Sequence, residues 1–353
     1  MAAIVTLRLG IDQAAIQRAA AIVRAGGLVA FPTETVYGLG ANALDAAAAR
    51  GIFRAKQRPA DDPLIVHLAG RGWLDRVAET NAVAEALAAR FWPGPLTLVL
   101  PKRASVPPEV TAGLDTVAVR VPSHPVAHAL VVAADLPLAA PSANLFGRPS
   151  PTRAQHVLDD LDGRINAVLD GGPANLGVES TIVDVSQMPP RLLRPGGVAA
   201  EAIEALLGAR LAGLPRAARV AGPQRAPGLL PVHYAPRTPL LLIVGPPAAA
   251  RPRLQQEVSS ARARGLRVGV LLLEDDRDLL PVGAGVRTHA VGRWADPAAS
   301  AACLFDALRA LDRAGLDVLV SRELADPSVG LGRALADRLR RAARQIIDVH
   351  VPQ

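Results

Sequence analysis

LVAFPTETVYGLGANALDAAAARGIFRAKQRPADDPLIVHL, residues Leu28–Leu68, is the stretch whose reading decides the fold. Leu28–Phe31 is a short apolar run that reads as a buried strand, and Pro32 stops it because proline cannot donate to a ladder. Thr33, Glu34, Thr35 and Tyr37 follow in a polar turn, with Gly38 and Gly40 read as the residues that let the backbone reverse. Asp45 is placed to cap a helix over Ala46–Ala55, which Lys56-Gln57-Arg58-Pro59 closes with two cations and a breaker. Leu64–Leu68 then returns as a second strand carrying His67 in its middle. Strand, hydroxyl-rich turn, helix and strand define an α/β unit. Its hydroxyls, cations and imidazole are expected at strand ends, where open α/β sheets bind ligands.

Composition sharpens this reading. Among 39 Lys+Arg only Lys56 and Lys102 are lysines, so Lys56 beside Arg58 marks a place that wants a compact ammonium, unless it is a chance survivor. At 353 residues the chain is long enough for two domains. Aromatic residues make up only 3%, so the cores must be built from Ala, Leu and Val. No apolar run reaches membrane-spanning length and no signal peptide precedes the first strand, which predicts a cytoplasmic protein without membrane partners. The single cysteine, Cys303, excludes an intrachain disulfide or a cysteine metal cluster, and its apolar neighbours predict a packed thiol. A net charge of +7 admits nucleotide or RNA, but the scarcity of aromatics to stack bases argues against assigning nucleic-acid binding from charge alone.

The remaining segments extend the same pattern. Ile4–Leu9 alternates like a strand, and Asp12 caps a helix over Gln13–Ala25 that Gly26-Gly27 ends. Asn81–Arg90 is helical, the Phe91–Pro95 corner packs under the sheet, and Leu96–Leu100 is a strand. Thr116–Pro122 reads as buried strand, which leaves Arg120 in need of an anion: a glutamate of the protein or the carboxylate of a ligand. Leu138–Asn144 is a strand ending in a polar turn, where Ser142 and Asn144 can hold a flat ligand. Thr152 is placed to cap the next helix. Val168–Pro173, Val178–Asp184 and Leu192–Gly197 repeat the theme of an apolar strand with hydroxyls or a cation at its end. Four such ends predict a shared cleft. A helix over Glu201–Leu211 closes the segment.

The organisation expected is a catalytic domain over 1–213, a Pro/Gly/Arg-rich linker over 214–238 lying over the active site, and a second domain over 239–353. The second domain alternates strands (Leu240–Val244, Leu266–Leu273, Val318–Val320) with helices (Arg253–Arg264, Pro297–Ala314, Leu331–Ala343), the pattern of a small parallel α/β sheet. Gly283-Ala284-Gly285 and Gly330-Leu331-Gly332 are incomplete as nucleotide loops. Arg333, Arg338, Arg340, Arg341 and Arg344 read as a solvated helix face.

There is no metal-ligand spacing and no nucleophile elbow. Lys56, Arg58, Arg120 and Arg194, with Thr33, Thr35, Ser142, Asn144 and Ser180, suit instead the binding of polyanions and phosphoryl chemistry driven by positioning.

Phe31-Pro-Thr-Glu-Thr-Val-Tyr-Gly38, Lys56-x-Arg58-Pro59 leading to Pro63-Leu-Ile-Val-His67, Arg120-Val-Pro122, Pro141-Ser-Ala-Asn144 and Glu179-Ser-Thr-Ile-Val-Asp184 together resemble the YrdC-like domain. With the His233-Tyr234-Ala235-Pro236 linker and the second domain, the chain looks like the two-domain L-threonylcarbamoyladenylate synthase family. The resemblance implies a YrdC-like twisted mixed open sheet with flanking helices, plus a smaller Rossmann-like parallel α/β domain. It implies formation of threonylcarbamoyl-AMP and pyrophosphate from L-threonine, bicarbonate and ATP, with Mg²⁺ accompanying ATP and no tightly bound organic cofactor. The product would pass to a downstream tRNA-modifying transferase complex that modifies the adenosine beside the anticodon, with at most a weak tRNA contact by this chain. Carried over by motif, Thr35, His67, Arg120, Ala140 and Ser180 would contact threonine. Lys56, Arg58, Asp62, Thr116, Ser142, Asn144, Ser150, Arg194, His233 and Tyr234 would hold ATP, with Lys56 and Arg58 acting on the phosphates. The family has Met, Lys, Tyr and Arg where Leu229, Leu230, Pro231 and Val232 stand, so here the linker is expected to act as an apolar lid. Two rivals fit the same fold. One is a basic cleft that holds RNA without chemistry; the other is a carbamoyl-transfer unit of hydrogenase maturation, whose zinc-binding cysteine pairs this sequence lacks.

Overall fold

A computed structural model describes residues 4–213, 224–228, 233–279 and 286–349. The chain divides into two units. Described residues up to 146 and from 150 to 228 form the first; residues 147–149 and those from 233 onward form the second. Of the expected linker, 224–228 belong to the first unit and 233–238 to the second. Residues 214–223, the expected lid at 229–232, and Gly283-Ala284-Gly285 lie outside the described residues.

The first unit runs β1 (Leu7–Leu9), α1 (Gln13–Arg24), β2 (Val29–Phe31), β3 (Gly38–Asn42), α2 (Ala46–Lys56), β4 (Ile65–His67), α3 (Ala82–Phe91), β5 (Leu96–Pro101), α4 (Pro108–Thr111), β6 (Thr116–Arg120), α5 (Pro125–Ala134), β7 (Leu138–Ala139), α6 (Ala154–Leu161), β8 (Ala167–Leu169), β9 (Thr181–Asp184), β10 (Arg191–Arg194) and α7 (Ala200–Leu207). Its strands form one mixed sheet in the order β1-β8-β2-β3-β7-β4-β6-β5-β9-β10. The mixed open sheet with flanking helices is the architecture the sequence predicts.

Each face of this sheet is covered differently. On one, Ile52 of α2 and Leu87 of α3 pack with Leu39, Val66, Leu98 and Val119. On the other, Ile16 and Val23 of α1 and Leu130 of α5 pack with Val29, Phe31, Leu138 and Leu169. His67 pairs with Leu138 across β4 and β7, so it points to the side that α1 and α5 cover. Further along that same side, Ile65, Val99, Ala118, Ile182 and Leu193 form an apolar strip without any helical residue, and Ala226 packs on it.

Local chemistry accounts for the elements that frame this face. Asp45 caps α2 by accepting from the amides of Ala47 and Ala48 at 2.7 and 3.2 Å. At the other end Gln57 adopts a left-handed conformation (φ 54°), the Gln57 amide bonds Arg54 O and the Arg58 amide bonds Phe53 O. That pair of bonds is a Schellman motif, which reverses the chain after Lys56 and sends Arg58 back toward the sheet. The expectation that Gly38 and Gly40 serve a turn is corrected: both lie in β3, paired antiparallel with β2. A Cβ on Gly40 would stand 2.7 Å from Phe31 Cε1, so this glycine is there to let the Phe31 ring lie flat on the hairpin. The turn is Thr33–Val36 instead. Thr152 does not cap α6; its amide and hydroxyl approach His156 Nδ1, and the helix starts after Arg153.

The second unit holds β11 (Leu240–Val244), α8 (Pro247–Ala263), β12 (Val268–Leu272), β13 (Val286–Ala290), α9 (Pro297–Asp312), β14 (Val318–Arg322), α10 (Gly330–Ala342) and β15 (Gln345–Asp348), with a parallel sheet in the order β13-β12-β14-β11-β15. The edge strands β13 and β15 are the two that sequence reading misses, because their largely exposed, mixed residues carry no apolar run. Cys303 is exposed, contrary to the expected packed thiol. The buried face of α9 runs through Ala301, Leu304, Phe305 and Leu308, and position 303 falls on the opposite side. The arginines of α10 are not a uniformly solvated face either. Arg338 is buried, pairs with Asp337 at 2.6 Å and stacks 5.2 Å from the Tyr234 ring. Gly332 is no phosphate loop; a Cβ there would meet Asp326 O at 1.9 Å, so it seats the first turn of α10 against its own preceding loop.

Candidate active site

The functional face begins where β2 ends. Thr33 Oγ1 donates to Val36 O at 2.6 Å and accepts the amides of Thr35 and Val36, which pins the turn. Because that hydroxyl proton is spent, the 2.7 Å contact between Thr33 Oγ1 and Thr35 Oγ1 is donated by Thr35. The Thr35 oxygen is then left to accept from Arg120 Nη1 at 2.9 Å. Arg120 closes β6 and is almost wholly buried. Its Nε donates to Gly94 O at 3.2 Å and its Nη2 stands 2.9 Å from Glu34 Oε1. The anion that the sequence demands for Arg120 is therefore a glutamate of the protein, the second residue of the Thr33–Val36 turn. Burial pushes the Glu34 carboxyl up, but the Arg120 charge and hydrogen bond and the Ser123 amide outweigh it and hold the group below its usual range.

His67 lies opposite Arg120 in the β4–β6 register. Its Nδ1 is 3.2 Å from Ile65 O, a pure acceptor, so Nδ1 carries the proton and Nε2 is the acceptor. Burial, reinforced by the Arg120 charge, pushes the imidazole down to about 3, so it is neutral at physiological pH. Ala140 continues this end of the site: its amide bonds Ile65 O at 2.8 Å. Thr97 and Ser180 share a hydroxyl contact at 2.8 Å. Arg194 then reaches Ser180 twice, through Nη2 to the hydroxyl at 3.1 Å and through Nε and Nη2 to the carbonyl.

A second group of cations gathers at the end of α2. Lys56 is buried, and its ammonium donates to the carbonyls of Ser142 and Asn144, the latter at 2.6 Å. Arg58 donates from Nε to Asp62 O and from Nη2 to Pro63 O, and pairs with Asp62 Oδ2 at 2.9 Å with both side chains buried. Burial raises the Asp62 carboxyl more than the charges of Arg58, Lys56 and Arg194 lower it. Ser150 donates to Glu179 Oε1 at 2.5 Å, which ties it to the residue before Ser180.

Thr35, His67, Arg120, Ala140, Ser180 and Arg194 thus converge on one face, and Lys56, Arg58, Asp62, Ser142 and Asn144 form a neighbouring cluster. His67 and Arg120 end the parallel strands β4 and β6, as expected of strand-end residues, and Thr97 lies one residue inside β5. Thr116 stands apart from Arg120, at the opposite end of β6, roughly 13 Å along the strand. His233 and Tyr234 belong to the second unit. There the His233 amide bonds Arg341 O, its ring packs edge-on at 4.1 Å against Tyr234, and Tyr234 lies 5.6 Å from Phe305. Glu34, Thr97 and Glu179 are the site-lining residues that sequence reading did not select. Arg120's need for an anion was the available signal for Glu34.

The architecture is that of the YrdC-like class with an appended parallel α/β unit. Comparison with known proteins is specific. The Sua5/YciO/YrdC family, described as "Telomere recombination", matches residues 21–196, and the C-terminal domain of threonylcarbamoyl-AMP synthase matches residues 198–344. The threonylcarbamoyl-AMP synthase of Pyrococcus abyssi is 44% identical over 97% of this chain and 98% of its own length. That of Bacillus subtilis is 45% identical over 96% of each. The crystal structure of P. abyssi Sua5 complexed with L-threonine superposes with a TM-score of 0.89 at 43% identity, covering 98% of this chain and 99% of the other. The chain belongs to the Sua5 family of threonylcarbamoyl-AMP synthases.

Proposed function

We propose that this chain forms threonylcarbamoyl-AMP and pyrophosphate from L-threonine, bicarbonate and ATP. The observation that carries the reading is the contact of Arg194 with Ser180. Through the Ser180–Thr97 hydroxyl contact it links the group of Thr35, His67 and Arg120, suited to an amino acid, to cations suited to a triphosphate. Arg120 takes the threonine carboxylate, and neutral His67 offers Nε2 as an acceptor. Lys56, Arg58 and Arg194 neutralise the phosphates, with Asp62, Ser142, Asn144 and Ser150 shaping their surroundings and Thr116 at the far end of β6. His233 and Tyr234 are assigned to ATP by motif alone.

Carbamate formation balances as R–NH₃⁺ + HCO₃⁻ giving R–NHCOO⁻, water and a proton. The carbamate oxygen then attacks the α-phosphorus, and the bond from that phosphorus to the β-bridging oxygen breaks as pyrophosphate leaves. The residues named need only bind, orient and stabilise charge, and no protein nucleophile takes part. Among the described residues no group of three or more His, Cys, Asp or Glu side chains converges as a metal site. Mg²⁺ would accompany the triphosphate and neutralise part of its charge. No helix of the described residues is long and apolar enough to cross a membrane. The reading includes a cytoplasmic setting, a tRNA-modifying transferase complex that takes the labile product, and a weak tRNA contact by this chain.

The test is pyrophosphate release measured with threonine and bicarbonate supplied separately and together, without RNA. Release that needs both supports the assignment. Release with serine at the same efficiency as with threonine, or a requirement for RNA, overturns it.

A further inference from the structure

We infer that Glu34 determines substrate class: it makes the pocket electroneutral only for a ligand that brings a cationic α-amine together with its carboxylate. The inference rests on the proposed binding of threonine and deepens it.

Three observations carry it. Glu34 Oε1 is committed, 2.9 Å from Arg120 Nη2 and accepting the Ser123 amide at 3.1 Å. Glu34 Oε2 is buried and has no hydrogen-bond partner among the described residues. Arg120 Nε and Nη1 are engaged by Gly94 O and Thr35 Oγ1, which orients the guanidinium; its Nη2 forms the ion pair with Glu34 but has no hydrogen-bond partner among the described residues, and its one positive charge is already matched by Glu34. A buried carboxylate oxygen without a donor is costly and calls for a partner that arrives from outside.

Charge counting decides what that partner must be. Without ligand, Arg120 and Glu34 cancel. A ligand that brings only a carboxylate to Arg120 places two carboxylates on one guanidinium in a water-poor pocket, with His67 neutral and unable to compensate. A ligand that also brings an ammonium restores neutrality, and its N–H groups can satisfy Oε2. After carbamate formation the α-nitrogen keeps one N–H, so the same acceptor serves substrate and product. The pocket is therefore built for α-amino acids and against hydroxy acids of equal shape.

The experiment measures binding of L-threonine and of (R)-3-hydroxybutanoate, which keeps the carboxylate and β-hydroxyl but lacks the amine, by titration calorimetry on the full chain. The wild type is expected to prefer threonine by about 10²-fold or more, since a charged hydrogen bond and a neutral pocket are both lost with the analogue. Glu34→Gln is expected to reduce that preference to about tenfold or less, because an amide no longer penalises a lone carboxylate. Undiminished preference in Glu34→Gln overturns the inference. Should Glu34→Gln fail to fold, the wild type alone decides, and equal affinity for the two ligands overturns it. Failure of the wild type to bind threonine at all, with ATP binding retained, overturns the inference together with the proposed function, whereas loss of selectivity alone leaves the function standing.

Discussion

Arg58 and Asp62 form a buried ion pair at 2.9 Å, and the same guanidinium also donates to the carbonyls of Asp62 and Pro63. The planar fork is thus held by three oxygens of one short loop, in the geometry a guanidinium provides and an ammonium does not. Arg58→Lys keeps the charge but cannot satisfy that loop. It is expected to lower kcat/KM for ATP by ~10²-fold, the scale seen when one preorganised donor is removed from a site of developing charge. Steady-state pyrophosphate release with ATP varied checks this; a change under threefold would place Arg58 outside the phosphate site.

Ser180 and Arg194 touch through both the hydroxyl and the carbonyl of the serine. If that contact couples the amino-acid and nucleotide halves, Ser180→Ala and Arg194→Ala should not be additive. The double-mutant cycle on threonine affinity in the presence of a non-hydrolysable ATP analogue is expected to give a coupling of about 1 kcal/mol, within the range for hydrogen-bonded neighbours. Strict additivity would mean that the two halves act independently.

How much of this was legible beforehand depends on sequence separation. The α2 segment could be read from Asp45, its alanines and Pro59 because capping is a matter of neighbouring residues. Arg120 was recognisable as a charge in need of an anion, yet Glu34 could not be chosen as that anion from spacing, since the two meet only when the β2 turn and the end of β6 come together. Gly40 misled for a related reason. Its partner is the Phe31 ring on the adjacent strand, a contact that local pattern does not reveal. Arg338 and Cys303 exchanged their expected environments because helical phase, not residue polarity, decides which face of α10 and α9 is buried. The gathering at strand ends could be read for His67 and Arg120, which end β4 and β6, but not the part played by Thr97, which lies inside β5 and meets Ser180 only once β5 and β9 pair.

Gly40→Ala tests the hairpin that carries the Thr33–Val36 turn. The new methyl would lie 2.7 Å from Phe31 Cε1 in a fully buried setting, so either the ring or the strand must shift. Overpacking of this kind costs ~1–3 kcal/mol, which urea unfolding measures as a lowered midpoint. Phe31→Leu in the same chain removes the clashing edge and should recover part of the loss. A Gly40→Ala protein as stable as the wild type would show that Phe31 can move freely.

His67 supplies the clearest pH dependence. Its folded-state value is pushed down to about 3 from an ordinary 6.5, first by burial and then by Arg120. Below the ordinary value the unfolded chain binds a proton that the folded chain does not, so protonation favours unfolding. Stability from this group is complete above pH 6.5 and is lost as the pH falls toward the folded value. Between pH 6 and pH 4 the wild type should lose ~1.4 kcal/mol per pH unit relative to His67→Gln, which has nothing to titrate there. Paired urea unfolding curves at pH 7 and pH 5 measure the difference. Parallel loss in both proteins would mean that His67 is solvated, and would remove the argument that Nε2 is a permanent acceptor in the amino-acid pocket.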